Sequence, residues 1–587
     1  MSSSRTPLSQ PVAVADADQV VAHTLLNCLL REVSARERQT AVADGHLLLR
    51  MPCTGVLLRV ALRRTSLIGA HRFAGPVSEQ DRRTGDWAEV PWRTLAGHID
   101  RELRLRTGVS NDEFLPQVAS SHAGVRAALA HQPARPDDRG GSGGPVPGPR
   151  AARPEQRTDP YLASEQSLVF GHRFHPTPKA RSGSLEQWRR YAPESAARFP
   201  LHHLAVRREL VRQEAVGPDA LAVLDRQRAV PDGYRLLPAH PWQYAMLGDH
   251  PALRAALARG DVLDLGPGGR DFAPTASVRT LYDGRDFLKF SLQVRITNCL
   301  RKNADYELSG AVALTRLLEP VAADLTARFE GCELLREPAY RTLDLGDRHL
   351  VEGFGVIVRE GLAARLRPGL TALLAAAVAD EYPTGPAHVS RLLDGAGPQQ
   401  ALAWWEAYLR LLVPPVLAAY FDHGVVLEPH LQNVVVGVDG SGTPRQILLR
   451  DLEGTKLLPG RHRMALAALP PAVAGPLTYD PARGWDRIVY CLLVNHVAEL
   501  LAALADQHPE LEPALWAAVR QVVAERCAAH GRPPALTALL AGAPLPAKAN
   551  LLTRWGRKAD RDAGYVRIAN PLAPELLSEA ARSAAGD

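Results

Sequence analysis

The segment Glu428-Pro429-His430-Leu431-Gln432-Asn433, with Arg450-Asp451-Leu452-Glu453-Gly454 a short way on, sets imidazole, amide and carboxylate groups among apolar, strand-like runs. Between the two lies VVVGVDGSGTPRQILL, with β-branched residues on either side of Asp-Gly-Ser-Gly. That pattern predicts a β-hairpin that brings both clusters to one end of a strand pair. A hard cation takes oxygen ligands, so Asp451, Glu453 and the amide of Asn433 are candidate magnesium ligands beside a nucleotide held without a P-loop. A buried polar hairpin with no ligand is the plain alternative. A phosphotransferase uses a comparable segment, but it carries a base Asp where this chain has Leu431 or Gln432, and no Gly-rich loop leads into a Val-Ala-Ile-Lys strand.

Upstream, Pro274-Thr-Ala-Ser-Val-Arg-Thr-Leu281 packs the hydroxyls of Ser277 and Thr280 around Arg279, a combination suited to phosphate oxygens. It follows an Asp271-Phe272-Ala273 segment read as a turn and precedes a hairpin at Asp283-Gly284, whose second strand brings Lys289. The next stretch, KFSLQVRITNCLRKN, carries Thr297 and Arg301, four apart and so neighbours on one helical face. A further cluster, Gly171 to Gly183 (GHRFHPTPKARSG), gathers His172, His175, Lys179 and two arginines in a loop that Pro and Gly keep from being a regular helix. No Cys or third His accompanies its histidines, which argues against zinc. His240-Pro241-Trp242-Gln243, after the strand-like YRLLPA, reads as architectural, and Gly266-Pro267-Gly268-Gly269 as a turn, since its Pro and the lack of a following helix exclude a dinucleotide loop.

In order and in wording these motifs resemble the siderophore synthetases that work independently of nonribosomal peptide synthetases, the IucA/IucC-like family: GHRFHPTPKARSG with its HxxHPxxK core, HPWQ, PTASVRTL, KFSLQVRITNCLR, EPHLQN, RDLEG and PAKANLLTRW. The resemblance runs from LLNCLLREV near residue 25 to Trp555. It implies an α+β fold of three domains arranged as a cupped hand, with antiparallel sheets and a helix-rich C-terminal part: a thumb-like unit over residues 1–165, a fingers-like unit over 166–365 and a palm-like unit over 366–587, often paired as a homodimer. It also implies an ATP- and magnesium-dependent ligase that adenylates a carboxylic acid, citrate foremost, releases pyrophosphate, and passes the acyl group to an amine, hydroxylamine or alcohol with release of AMP. Carried over motif by motif, Ser277, Arg279 and Thr280 hold the triphosphate, with His172, Lys179 and Lys289 adding positive charge. Arg301 bridges phosphate and substrate carboxylate with Thr297 beside it, and His430 faces the acid and its adenylate. Gln432 and Asn433 line the nucleotide site, Asp451 and Glu453 hold magnesium, and Lys548 reaches the acid's other carboxylates. Pro429 stands where many relatives have a small residue such as Ala, and LLNCLLREV looks like the free-citrate branch of the family.

The chemistry agrees on its own terms. Adenylation brings an anionic carboxylate against an anionic phosphate, so cations must offset the repulsion and the charge gained by departing pyrophosphate. No protein nucleophile is required, and none of the usual cues for one is present. The attacking amine must lose a proton, and His430 is the candidate base or orienter by type. Only six of the 69 basic residues are lysines, and three of those, Lys179, Lys289 and Lys548, fall in these motifs, as expected where a compact ammonium is needed in place of a planar fork. A small-molecule phosphotransferase and a noncatalytic siderophore-binding protein are the rival readings.

Bulk composition sets the class. With 587 residues, 46% hydrophobic and 22% charged, the chain describes a globular protein large enough for several domains. A net charge of +6 is modest at this size and the basic residues are interspersed with acidic ones, so small anions fit better than nucleic acid. The N-terminus lacks the pattern of a signal peptide and no apolar run approaches the length of a membrane span on this reading, which predicts a cytoplasmic enzyme with no membrane partner. The six isolated cysteines read as buried free thiols, and Cys491 with Cys527, in a region the family shares with iron-reductase proteins, cannot alone hold an iron-sulfur cluster.

These groups must be positioned by the following elements. Periodicity predicts a helix over Asp18 to Val33, strands in HLLLRMP and TGVLLRVAL, and a helix from about Trp92 to Leu105. Residues 131–157, rich in Pro, Gly and Arg, predict a disordered insertion. Helices alternating with hairpins follow to about residue 365, ending in the strand candidate HLVEGFGVIVRE. Beyond it lie a helix expected to break at Pro414-Pro415, with Trp404 and Trp405 in the core, and two packed helices in DRIVYCLLVNHVAELLAAL and EPALWAAVRQVVAERCAA.

Overall fold

The computed structural model describes residues 16–130, 159–296, 299–385, 387–559 and 563–576. The predicted insertion at 131–157 and Thr297 lie outside the described residues. Helices and mostly antiparallel sheets make an α+β fold.

The first part is a five-stranded antiparallel meander, Thr40–Ala43, His46–Arg50, Leu57–Arg64, Arg72–Gln80 and Trp87–Glu89, in sequence order. The alternating residues Leu47, Leu49, Leu58 and Val60 pack against helices Ala17–Leu29, Trp92–Thr107 and Phe114–Leu129. This core is completed from far away in the chain: Leu551 and Trp555, on helix Asn550–Trp555, are part of it.

The central part is an eight-stranded antiparallel sheet in which Phe287–Phe290 lies between Thr280–Tyr282 and Val356–Arg359. The Asp283-Gly284 hairpin forms as expected, with Thr280 opposite Lys289 and Phe287 opposite Arg359. Two turns expected from sequence are instead strand. Asp271-Phe272-Ala273 and the Gly266–Gly269 run both belong to the long strand Val262–Pro274, where positive φ at Gly266 and Gly269 makes bulges against Phe199–Arg207. Arg301 does not lie on the helix expected for it either, because Leu292–Ile296 and Cys299–Arg301 pair as an antiparallel hairpin. Val294 and Ile296 are β-branched, and Phe290, Leu292 and Val294 are buried in a period of two that outweighs the four-residue spacing.

The last part holds a four-stranded sheet in the order Cys332–Leu334, Pro444–Leu449, Val434–Val438 and Thr371–Leu374, in which the first two strands run parallel. Its hairpin is the one expected from VVVGVDGSGTPRQILL, with Val434 opposite Leu449. Around it packs the largest core, with Trp404 and Trp405 buried as expected. Two expectations fail here. Helix Pro398–Phe421 runs through Pro414 and Pro415, both buried, because the apolar face on either side is held in the core even though those prolines donate nothing to the preceding turn. HLVEGFGVIVRE divides into a short helix, Arg348–Gly353, and a strand, Val356–Arg359.

An apolar stretch long enough to span a membrane is present after all, in Pro481–Ala505, and 94% of its apolar window is buried inside the protein, as befits a core helix. Asn495, His496 and Glu499 interrupt it in the sequence. Its middle, Tyr490–Val497, widens to a π-helix, as does Leu30–Ser34 at the end of the first helix. Cys28, Cys332, Cys491 and Cys527 are buried free thiols, whereas Cys53 is exposed, contrary to expectation, because it sits in the loop after His46–Arg50.

Candidate functional site

Lys289 lies in the strand Phe287–Phe290 and is 1% exposed. Its ammonium donates to Asp451 Oδ1 at 2.6 Å and Glu453 Oε2 at 2.8 Å, with Glu337 Oε1 at 3.8 Å. Arg279 donates to Glu453 Oε2 at 2.5 Å and to Asn303 Oδ1 at 2.7 Å. Arg359 donates to Glu337 Oε1 at 2.6 Å and reaches Asp451 Oδ1 at 3.2 Å. Three cations and three carboxylates thus meet where the eight-stranded sheet faces the Val434–Leu449 hairpin. Burial opposes every charge here, and mutual attraction overcomes it: Lys289 and Arg359 hold Asp451 well below the carboxylate range, Arg279 and Lys289 hold Glu453 at about 2, and Asp451 and Glu337 push Lys289 up. No hydrogen bond reaches Asp451 Oδ2 or Glu453 Oε1 among the described residues.

Both loops that enter this cluster are strained. Val278 has φ +67° and Asp451 has φ +73°, a region β-branched and acidic side chains seldom occupy. A cost of order 1–3 kcal/mol each persists only where the surroundings impose it. For Val278 they do: Thr275 Oγ1 donates to the Thr280 carbonyl at 2.9 Å, the Thr280 amide donates to Ser277 Oγ at 3.1 Å, and the Ala276 amide donates to Glu165 Oε2 at 2.9 Å.

The EPHLQN segment is fixed from two sides. Arg450 donates to the Gln432 carbonyl through Nε at 3.0 Å and Nη2 at 2.7 Å, while its Nη1 donates to Glu165 Oε1 and Tyr161 Oη, both at 2.5 Å. On the other side His496 donates from Nδ1 to the Pro429 carbonyl at 2.8 Å and accepts at Nε2 from the Tyr408 hydroxyl at 2.7 Å. Glu428 pairs with Arg487 at 3.2 Å and lies so close to Gly454 that a Cβ there would meet Glu428 Oε2 at 2.5 Å. His430 is thereby held between the two clamps. Burial lowers its pKa, and Arg487 and Lys548 add to the shift against Glu428 and Asp451.

Around His430 lies a second, cationic environment. His172 accepts from the Phe174 amide at 3.0 Å and lies 2.7 Å from the side-chain nitrogen of Asn495. Burial among His175, Arg31, Lys548 and His430 lowers its pKa to about 3. Lys548, in strand Leu545–Lys548, is half-buried and has no hydrogen bond or ion pair among the described residues. Arg301 is likewise half-buried and unpaired among them, and it stands two residues before the Asn303 that binds Arg279.

The structure therefore brings Ser277, Arg279, Thr280, Lys289, Asp451 and Glu453 into one cluster, with His430, His172 and Lys548 around an adjoining one; Gln432 and Asn433 form the short turn between them. Lys179 is elsewhere: its ammonium donates to Glu194 and, at 2.5 Å, to the Leu168 carbonyl, and Arg181 shares the same Glu194, on the wall of a cavity of about 210 Å³. Arg359, Glu337, Glu165 and Arg450 were not predicted as site residues. Arg450 stood inside a quoted motif, but no local spacing joins Glu165 or Arg359 to it.

Comparison with known proteins finds relatives over most of the chain. The profile of the IucA / IucC family matches residues 160–380, and that of the ferric iron reductase FhuF-like transporter matches residues 402–563. The described residues hold no group of three or more His, Cys, Asp and Glu able to bind a metal by themselves. The rhizobactin siderophore biosynthesis protein RhbC of Rhizobium meliloti is 30% identical over 95% of this chain and 98% of its own length. A spermidine-citrate ligase of Bacillus anthracis is 30% identical over 71% of this chain and 74% of its own. Among solved structures, ATP-bound aerobactin synthetase IucA from Klebsiella pneumoniae superposes with a TM-score of 0.81 at 26% identity, covering 95% of this chain and all of that one.

Proposed function

The chain belongs to the IucA/IucC family of siderophore synthetases, and from that premise we propose that it is an ATP-dependent ligase which adenylates a carboxylic acid, citrate foremost, and transfers the acyl group to an amine, hydroxylamine or alcohol. The observation that carries this reading is the juxtaposition of two environments: a buried cluster of cations and carboxylates suited to a triphosphate, and beside it the buried imidazole of His430 near Lys548, which makes no ion pair among the described residues. Arg279, Lys289 and the Ser277–Thr280 turn bind the phosphates. Asp451, Glu453 and the Asn433 amide would hold a magnesium ion, a hard cation that takes oxygen donors, which would supply further neutralisation of phosphate charge. Arg301 and Lys548 receive carboxylates of the acid, and neutral His430 orients the acyl group and accepts a proton from the incoming nucleophile. Lys179 acts at a distance, by fixing the loop that carries His172.

In this reading the acid and nucleotide meet between a fingers-like unit (166–365) and a palm-like unit (366–587), with the thumb-like unit (1–165) closing the acid side, in a cytoplasmic homodimer. The test is pyrophosphate release with ATP, magnesium and hydroxylamine across citrate, 2-oxoglutarate and succinate. Release with one acid, accompanied by its hydroxamate, is expected; ADP formation or no turnover with every acid would overturn the reading.

A further inference from the structure

Arg31 is a buried cation that makes no direct ion pair among the described residues, with Glu499 acting on it only through space. It sits on the π-helical segment Leu30–Ser34, is 8% exposed, and makes no hydrogen bond and no ion pair among the described residues. Its guanidinium lies over the ring of Phe174, 3.1 Å from the centroid. Arg173 also stacks on Phe174 but is compensated, by Glu381 at 3.2 Å and the His71 carbonyl at 2.7 Å. Arg72, fully buried, is compensated too, by Glu381 and Asp506. A largely desolvated guanidinium with no hydrogen-bonded partner is favoured by an arriving anion, and unlike the nitrogens of Arg72 and most of those of Arg173, those of Arg31 are not sealed from solvent.

Three contacts place this cation on the acid side of the site. Phe174 donates its amide to His172. The Phe174 carbonyl accepts from Asn550 Nδ2 at 2.8 Å, two residues after Lys548. Glu32, next to Arg31, accepts the amides of Leu551 and Leu552, each at 2.9 Å, so the segment is bolted to the helix that follows the Lys548 strand. The second π-helical segment, Tyr490–Val497, presents Asn495 to His172 from the opposite side. A π-turn rotates side chains out of the register of a regular helix, and such turns recur at functional sites.

We propose that Arg31 is a substrate-binding residue that receives a carboxylate of the acid other than the one activated, and so selects a polycarboxylate over acids with fewer charges. This rests on the adenylating reading above. A guanidinium matches a carboxylate bidentately, and stacking on Phe174 fixes its plane in advance. It predicts a division of labour in which Lys548 and Arg31 hold the unreacted carboxylates while His430 faces the reacting one.

The test uses the full-length enzyme and pyrophosphate release, with citrate compared to citramalate, which has a methyl in place of one carboxymethyl arm, and to 3-hydroxyglutarate, which lacks the central carboxylate. Arg31→Met keeps an unbranched apolar stem and removes the charge together with the guanidinium plane over Phe174. It is expected to raise KM for citrate by roughly 10- to 100-fold, to leave KM for ATP within twofold, and to abolish the preference for citrate over one of the two analogues. A merely structural role would not move the analogue ratio. Should Arg31→Met fail to fold, Arg31→Lys, which keeps charge and stem but loses the fork, decides alone, with an intermediate rise in citrate KM expected. An unchanged citrate KM and analogue ratio in whichever variant folds overturns the proposal while wild-type turnover stands. Absence of turnover by the wild type with every acid instead overturns the adenylating reading itself.

Discussion

At the scale of single residues, the site works by keeping imidazoles neutral and carboxylates charged. His430→Ala removes the group proposed to face the reacting acid without touching either clamp on its loop, since those clamps grip the carbonyls of Gln432 and Pro429. Acid-dependent pyrophosphate release should fall by about 100-fold or more with an unchanged melting temperature. Stability should follow a definite course with pH. Burial holds His172 and His240 at about 3 and His496 at about 4, all below the unfolded value, so their contribution is complete above pH 6.5 and is lost as the pH falls from there. Glu453, held at about 2 by Arg279 and Lys289 despite burial, contributes above its unfolded value near 4.5 and is lost as the pH falls through 2. Glu32 and Asp380, pushed by burial up to about 8 and about 7, act in the opposite direction as the pH falls, so the check is differential: His240→Asn should lose less urea resistance than the wild type between pH 6.5 and 4, and an equal loss would contradict the burial of His240.

At the scale of elements, the chemistry depends on a few close approaches. Gly454 permits the Leu452–Gly454 turn to lie on Glu428, and Gly454→Ala must push Glu428 away from Arg487 or lift the turn that carries Glu453. The expected outcome is at least a tenfold loss in kcat/KM for ATP, with circular dichroism unchanged. The two hairpins and the packed C-terminal helices were legible because Asp-Gly turns and apolar periodicity are local signals. So was the set of residues around Lys289 and His430, through motif order. What was not legible depends on partners distant in sequence. Lys179 and Lys289 are equally plausible phosphate ligands as residues, and only tertiary structure gives the first to Glu194 and the second to Asp451 and Glu453. Arg301 and Thr297 looked like helix neighbours because their spacing permits it, whereas Val294 and Ile296 impose a strand. The helix through Pro414-Pro415 shows the same competition, with burial overriding a backbone preference.

At the scale of the whole molecule, the chain is closed on itself. Asn111 donates to the carbonyls of Arg554 and Trp555 at 3.1 and 2.9 Å, Trp555 donates from its indole to Thr107 at 2.9 Å, and Glu32 caps the same helix. Trp555→Ala should therefore destabilise the N-terminal five-stranded unit by about 3–5 kcal/mol, although the mutated residue is more than four hundred positions away from that sheet in sequence. Hydrogen exchange should show faster opening of strands Leu57–Arg64 and Arg72–Gln80 in the variant, with the Val434–Leu449 hairpin unaffected. This closure also has a meaning in time. During synthesis the N-terminal sheet emerges first, yet its core waits for Leu551 and Trp555, and Lys548 reaches the site in the same late stretch. A ribosome that stalls or terminates before that stretch leaves a chain with the Lys289–Asp451–Glu453 cluster already made but without Lys548 or the two residues that complete the N-terminal core, so a truncated product is unfinished at both ends of the molecule at once.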